Sequence, residues 1–352
     1  MKVGKSITEL AQEIERQAAA KQDFIADTRA LSLTALGELE LKNGESRTFP
    51  VNRHALRQIA ERVGLPMKYA DRMSLDAPEL LATNVNHWFQ AKPERRMIRT
   101  LDGVGRAFLS DRYQRIDHLN IVEEIFPVIH QIPDVEIVSC QITDAKLYVK
   151  AITHSVRAEI KSKRVGDIVE AGFVFANSET GLGSFSVFPF VNFLWCLNGM
   201  VRNKDGMRAY HVGRQQSSVE FETKVLSDNT KRLEDAAVIS RAKDVLAAAI
   251  DQTRFNEWVQ SIQETVEQPI EGDPVKAVEL LGDTYAFNQE ERTSVLRHLI
   301  SGADLSRYGL MNAVTRTAED LESYDRATEF ETFGGAIVDL PRKEWQRIAI
   351  AA

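Results

Sequence analysis

Residues 97–109, MIRTLDGVGRAFL, decide how the fold of this 352-residue chain is interpreted. Side chains alternate with period two on both sides of Asp102-Gly103, and this alternation is typical of strands. The Asp-Gly pair supplies the positive φ angles that a tight turn requires. The stretch therefore predicts a β-hairpin with strands over 97–101 and 104–109.

Segments on either side of this hairpin carry further helix and strand patterns. Toward the C-terminus, they predict a helix over 118–131, a second hairpin over 135–152, strands over 167–176 and 183–188, and a short apolar helix from Pro189 to Gly199. Toward the N-terminus, they predict helices over 5–22, 53–73 and 78–91 and short strands near 30–36 and 45–51. From about 226 onward the pattern is helical, with a short extended piece near 335–340.

Together these elements predict an α+β fold, with a central antiparallel sheet of hairpins, helices on one face, and a mainly helical C-terminal domain. The expected regions are a helical N-terminal region with short strands (1–92), an α+β core with basic clusters (93–218) and an acidic helical domain (219–352). The net charge of −7 is unevenly distributed, because residues 219–352 hold 25 Asp/Glu and 15 Lys/Arg, whereas residues 1–218 hold 26 and 29. A mildly basic core beside an acidic domain occurs in proteins that hold an anionic polymer.

Several function classes have no support in the sequence. No apolar stretch approaches the ~20 residues of a membrane helix, and the N-terminus lacks the apolar core of a signal peptide. Cys140 and Cys196 form neither a disulfide framework nor a zinc-binding spacing, which favours a reducing cytoplasm. The seven histidines have no metal-binding spacing, and no phosphate-loop, dinucleotide-binding or Gly-x-Ser-x-Gly motif is present. We therefore expect no cofactor, no metal and no catalytic residue.

Clusters of basic residues favour nucleic acid as the partner, although such clusters also occur on solvated surfaces. Lysines and arginines neutralise phosphates and release counterions, and a tyrosine can stack on a base. Lys146 and Lys150 lie four residues apart on a predicted strand, so they share one sheet face. The predicted binding residues are Arg99, Arg106, Arg112, Tyr113, Lys146, Lys150, Lys161, Lys163, Arg164 and Arg214. The polar loop formed by Asn177, Ser178, Glu179 and Thr180 is a possible functional loop, although such residues also cap turns.

Three alternatives from other classes remain open. Asp111, Asp117 and Glu179 are candidate ligands of a metal-dependent nuclease, although turn acids are more often solvated or capping groups. Residues 53–73 have the spacing of a helix-turn-helix, whose second helix would present Lys68, Tyr69, Asp71 and Arg72 to duplex DNA. The acidic region 219–352 is a candidate surface for a host or defence protein.

Three blocks of the sequence resemble a family of uncharacterised phage- and plasmid-borne proteins defined by a domain of unknown function. The first is RAFLSDRY (106–113), which is similar to the family's R-A-x-x-S-D-R-Y hairpin. The second is NSETG (177–181) followed by CLNGM (196–200), which is similar to its N-S-E-T-G and C-x-N-G-M core. The third is GLMNAVT (309–315), which is similar to its N-A-V-T helix. The resemblance covers roughly residues 45 to 340 and implies mobile-element biology, without implying an agreed activity.

The order of elements is also similar to the core of single-strand annealing proteins of the Red-beta and RecT kind, by analogy at the level of the fold. Those proteins form rings or filaments, need no cofactor and hold single-stranded DNA in a basic groove. The analogy implies a cytoplasmic homo-oligomer that binds single-stranded nucleic acid, with strand annealing in recombination or replication as a further expectation. It also implies that residues 219–352 recruit a protein partner.

Overall fold

The computed structural model describes residues 1–43, 45–113, 115–162, 166–195, 198–209 and 228–351. Its helices are α1 (Ile7–Ala20), α2 (Arg53–Arg62), α3 (Met67–Asp76), α4 (Pro78–Ala91), α5 (His118–Ile129), α6 (Asp228–Ala249), α7 (Gln252–Val266), α8 (Pro274–Thr284), α9 (Gln289–Gly302), α10 (Arg307–Thr317), α11 (Tyr324–Val338) and α12 (Arg342–Ala349). Within the described residues, no helix combines the length and apolarity needed to cross a bilayer.

The strands form antiparallel sheets, which confirms the α+β fold class. They are β1 (Gln22–Asp27), β2 (Leu31–Leu33), β3 (Glu38–Asn43), β4 (Glu45–Pro50), β5 (Arg95–Leu101), β6 (Val104–Ser110), β7 (Val135–Ile142), β8 (Leu147–Ile160), β9 (Asp167–Asn177), β10 (Phe185–Phe193), β11 (Asn198–Val201) and β12 (Met207–Ala209). The central sheet has the order β11-β10-β9-β8-β7, with β12 also pairing with β10. Two smaller sheets have the orders β1-β5-β6 and β2-β3-β4.

The hairpin at 97–109 forms as the sequence predicts, but it lies outside the central sheet. Asp102 and Gly103 have φ angles of 52° and 77°, as expected for this tight turn. Strand β5 then pairs with β1 instead of with a strand of the second hairpin, placing Ile98 opposite Phe24. Ile98 and Phe108 belong to a hydrophobic core built otherwise from residues 26–89. The hairpin therefore packs with the region predicted to end at residue 92.

The central sheet has two different faces because side chains alternate along each strand. On the first face, Val149, Phe173 and Val187 belong to the largest core of the protein. Helices α1, α5, α6 and α7 contribute to the same core, through residues that include Leu10, Ile125, Leu246 and Phe255. Helix α11 lies over part of the second face, where Tyr148 contacts Tyr324. The C-terminal helices thus pack directly onto the sheet.

The helix predicted from Pro189 to Gly199 is wrong, because residues 185–193 form strand β10 and residues 198–201 form β11. Proline fits inside β10 because the neighbouring β12 ends its pairing at Val187 and β11 begins its pairing at Phe190. The missing N–H of Pro189 falls in this gap, so no ladder hydrogen bond is lost. Gly199 does not stop a helix. A Cβ there would lie 1.9 Å from the Phe190 ring, so glycine permits close packing.

The extended piece predicted near residues 335–340 is also wrong, since α11 continues to Val338. Two consecutive glycines such as Gly334 and Gly335 usually interrupt a helix, yet in the structure they let α11 approach the sheet. A Cβ on Gly335 would lie 2.0 Å from the carbonyl oxygen of Val201. The close approach of α11 to β11 therefore requires a residue without a side chain.

Candidate functional site

A cavity of the described structure, which we call the sheet groove, has a volume of about 460 Å³. It lies between the second face of the central sheet and helix α11. Its residues come from the strands, from the loop before β10 and from α11: Tyr113, Lys146, Tyr148, Val174, Ala176, Gly181, Leu182, Gly183, Ser184, Ser186, Phe188, Val201, Asn203, Arg208, Asp325, Thr328, Glu329, Thr332 and Phe333. This volume falls within the 300–1,000 Å³ typical of small-ligand sites.

The floor of the sheet groove follows from strand periodicity. Tyr148, Val174 and Phe188 are buried on the second face, whereas the residues next to them point into the core on the first face. Val174 and Phe188 are opposite each other in the β9–β10 register. The floor is therefore mainly apolar and aromatic, with Ser186 as a polar residue beside Arg208.

Two cations lie at the edges of this aromatic floor. The Lys146 ammonium is 6.0 Å from the centre of the Tyr148 ring, and the Arg208 guanidinium is 5.0 Å from the centre of the Phe188 ring. Among the described residues, neither cation forms an ion pair with a carboxylate. Lys146 precedes β8 and Arg208 lies on β12, so they flank the floor from opposite sides of β9 and β10.

The opposite wall, formed by α11, carries two acids. Asp325 Oδ1 accepts hydrogen bonds from the Tyr148 hydroxyl at 2.7 Å and from the Thr143 hydroxyl at 3.3 Å. Burial and the neighbouring Asp325 raise the pKa of the Tyr148 hydroxyl well above its usual range, so tyrosine remains a donor. The second acid, Glu329, forms an ion pair in which its Oε2 atom lies 2.7 Å from Arg326 Nη1.

Lys150, a predicted phosphate contact, is buried beneath α11 beside the sheet groove. Its ammonium lies 2.5 Å from Glu331 Oε2 and 4.7 Å from the centre of the Tyr324 ring. Both charged side chains are 0% exposed. The shared sheet face predicted for Lys146 and Lys150 is present, but only Lys146 is open to a ligand. In this conformation Lys150 holds α11 against the sheet.

Arg99 and Arg106 are likewise buried and paired with carboxylates. Arg99 contacts Asp23 at 2.9 Å and Asp117 at 2.6 Å, and its side chain is 0% exposed. Arg106 pairs with Glu179. Neither guanidinium is available to a phosphate, because each is buried and already bound to carboxylates from other parts of the chain. Their charges instead neutralise acids from other elements.

The polar loop 177–180 is the junction at which these elements meet. All four residues are at most 3% exposed. The Tyr113 hydroxyl donates to the Ser178 carbonyl at 3.0 Å, and His54 and Gln58 each contact the Thr180 carbonyl at 2.9 Å. The loop thus joins α2 and the end of the first hairpin to the central sheet. These hydrogen bonds hold α2 and the end of the first hairpin next to the central sheet.

Burial and charge shift the pKa values of groups around this loop. Burial alone would raise the pKa of Glu179, but His118, Arg106 and Lys21 lower it far below its usual range. Burial alone would raise the pKa of Asp117, but Arg99 and Lys21 together lower it. Burial lowers the pKa of His118 to about 4. The ring therefore stays neutral at physiological pH, within 3.0 Å of the Asn177 amide.

The remaining predicted binding residues are exposed or lie outside the described residues. Arg112 and Lys161 are exposed. Tyr113 is 8% exposed, and its ring lines the sheet groove. Lys163, Arg164 and Arg214 lie outside the described residues, as does Cys196.

The three acids considered for a nuclease are not gathered into a metal centre. Asp117 and Glu179 both lie beside Lys21, at 2.6 and 3.5 Å. Asp111 lies in the turn after β6. Among the described residues, no group of three or more His, Cys, Asp or Glu side chains is arranged to hold a metal ion. Ion pairing by cations explains the placement of Asp117 and Glu179.

The helical pair predicted over 53–73 is present as α2 and α3, and Gly64 has the positive φ of 78° that its turn needs. Tyr69 is 46% exposed, whereas Asp71 is paired with Arg57 at 2.6 Å. Duplex recognition by this pair stays a prediction.

The sequence patterns do not single out Tyr148, Arg208 or Asp325. The period-two spacing of Lys146, Tyr148 and Lys150 does place Tyr148 on the same face, and that signal identifies it in retrospect. Arg208 belongs to a basic run after residue 201, from which charge alone cannot select it. Asp325 comes from a helix about 180 residues further along the chain, as its bond to Tyr148 shows.

Comparisons of the chain with protein-family models, with curated proteins and with solved structures find no match. The resemblance to phage- and plasmid-borne proteins and the analogy to annealing proteins therefore stay predictions.

Proposed function

We propose that this protein binds single-stranded nucleic acid in the sheet groove. The observation that carries the proposal is the position of two cations, Lys146 and Arg208, at opposite edges of a buried aromatic floor. Neither cation forms an ion pair within the part of the chain that the structure describes. Cationic edges bind a phosphate backbone without regard to sequence, and the concave space between them can hold an unstacked base.

The shape of the site favours a single strand over a duplex. A concave cavity admits a base that has left its stack, whereas duplex grooves are contacted by protruding helices or strands. Val174 and Phe188 are only 4% and 8% exposed. A bound base would therefore cover little additional apolar surface at the floor, and contacts at the edges of the groove would hold it. Annealing, oligomerisation and a partner for residues 219–352 rest on the resemblance alone and extend the proposal. A cytoplasmic location is also part of it, consistent with the buried free thiol of Cys140.

Fluorescence anisotropy with labelled oligonucleotides tests the proposal. We expect the full chain to bind a single strand of about 20 nucleotides more tightly than the matching duplex, since one single-strand site covers roughly 4–16 nucleotides. Lys146→Ala and Arg208→Ala should each weaken binding about tenfold, the loss expected for one charge-assisted contact.

Two control variants locate the binding site. Lys343→Ala removes an exposed lysine on α12, away from the sheet groove, and should leave affinity unchanged. Lys161→Ala tests the basic run 157–164 as a rival site. A loss with Lys161→Ala and none with Lys146→Ala or Arg208→Ala would move binding out of the groove. Absence of binding at low salt would refute nucleic-acid binding and direct attention to a protein partner of residues 219–352.

A further inference from the structure

The two walls of the sheet groove carry opposite charge, and this difference orients a bound nucleotide. Lys146 and Arg208 lie on the strand side, while Asp325 and Glu329 lie on α11. A phosphate is attracted to the first wall and repelled by the second. The base of a nucleotide whose phosphate contacts the cations is therefore directed toward α11.

Asp325 is the acid best placed to meet that base. Its Oδ1 atom is engaged by the Tyr148 and Thr143 hydroxyls, which fix the carboxylate in position. Its Oδ2 atom makes no hydrogen bond with the residues that the structure describes, and the residue lines the groove. Glu329 differs, because Arg326 already binds its carboxylate. Asp325 thus offers a fixed acceptor among the described residues that line the cavity.

We infer that Asp325 accepts a hydrogen bond from the exocyclic amine of a base in the sheet groove. The inference rests on the proposed function and specifies its ligand: single strands containing cytosine, adenine or guanine are preferred over strands of only uracil or thymine. A carboxylate is an acceptor and matches an amino donor such as cytosine N4. Uracil presents a carbonyl oxygen at the same position, and two acceptors facing each other are unfavourable.

Tyr148 is a positioning residue for this contact. Its hydroxyl holds the carboxylate from the floor while its ring forms part of that floor. Removing the hydroxyl frees Asp325 to rotate without removing the ring or either cation. The preference for amino-bearing bases should then decrease, whereas the affinity for the sugar-phosphate backbone should remain.

The test compares oligo(dC) with oligo(dU) of equal length, because the two bases have the same ring size and differ at the amino position. We expect the wild-type chain to bind oligo(dC) about fivefold more tightly, a typical discrimination for one base contact. Asp325→Asn should reduce the ratio to about one, since an amide can either donate or accept. Tyr148→Phe should give an intermediate ratio. Glu344→Gln, which removes an exposed acid on α12 outside the groove lining, is the control and should preserve the wild-type ratio.

The outcomes separate this inference from the proposed function. Binding of neither oligonucleotide refutes both. Equal binding of the two by the wild-type chain refutes the base preference and leaves single-strand binding standing. A preference that persists in Asp325→Asn, or that disappears in Glu344→Gln, assigns the recognition to another residue. If Asp325→Asn does not fold, as judged by circular dichroism, the wild-type ratio and Tyr148→Phe still decide the question.

Discussion

The buried ion pair between Lys150 and Glu331 gives the sharpest prediction about what holds α11 over the sheet groove. Both side chains are 0% exposed, and their charged atoms are 2.5 Å apart. Replacing one partner of such a pair leaves an uncompensated buried charge, which typically costs about 3–5 kcal/mol. Replacing both with apolar residues of similar size is often neutral or stabilising.

The surroundings of the pair predict which single replacement costs more. Glu331 Oε1 has no hydrogen-bond partner among the described residues, so Lys150→Met leaves the carboxylate without any compensating group. After Glu331→Gln, the Lys150 ammonium keeps its place over the Tyr324 ring, an interaction of about 0.5–2 kcal/mol. We therefore expect Lys150→Met to lose about 4 kcal/mol and Glu331→Gln about 2–3 kcal/mol. The double variant Lys150→Met with Glu331→Leu should recover most of the loss.

Urea unfolding followed by circular dichroism measures these free energies as a double-mutant cycle. Lys161→Met is the control, because an exposed lysine should change the free energy of unfolding by less than about 0.5 kcal/mol. Single replacements that cost under about 1 kcal/mol, or that add without coupling in the double variant, would refute the buried pair and with it the position of α11.

Three further predictions concern other parts of the fold. The pKa of His118 is lowered from 6.5 to about 4 on folding, so the unfolded chain binds the proton first, and stability should fall by about 3 kcal/mol as pH drops from 6.5 to 4. Unfolding midpoints across pH should show a smaller slope for His118→Gln, and an unchanged slope would contradict the burial. Gly335→Ala should lower the free energy of unfolding by at least about 2 kcal/mol, because the new methyl group would clash with the Val201 carbonyl. Gly302→Ala is the control and should change the free energy of unfolding little, because a Cβ there would meet no atom within 4 Å. Arg106→Met should destabilise the protein by about 3 kcal/mol by leaving Glu179 buried beside fewer cations, and normal stability would show that the pair is dispensable.

Local patterns were sufficient for much of the fold. The Asp102-Gly103 turn and the alternation of the flanking strands are short-range signals, and the structure contains both. The predictions at Pro189 and Gly335 are wrong because proline and glycine indicate the ends of helices and strands only where local conformational preference outweighs tertiary packing. In β10 a gap between two neighbouring strands accommodates the proline. In α11 the glycine serves a contact with a strand more than 100 residues earlier in the chain.

Charge was a weaker guide because sequence does not show which cations have partners. Arg99 meets Asp23, which lies 76 residues away, and Lys150 meets Glu331, which lies 181 residues away. Arg99, Arg106 and Lys150 therefore pair with acids in the protein interior. Lys146 keeps an open position because it precedes β8 at the mouth of the groove. The pairing of strands and helices far apart in sequence decides which basic residues remain for a ligand.

The salt dependence of single-strand binding tests the central claim most directly. For a single strand, each cation that displaces a counterion contributes about 0.7 to the slope of log affinity against log salt concentration. Replacing both Lys146 and Arg208 with alanine should therefore reduce that slope by about 1.4 between roughly 50 and 200 mM salt, while Lys343→Ala leaves it unchanged. A slope for the double variant equal to that of the wild-type chain would show that the sheet groove does not hold the strand.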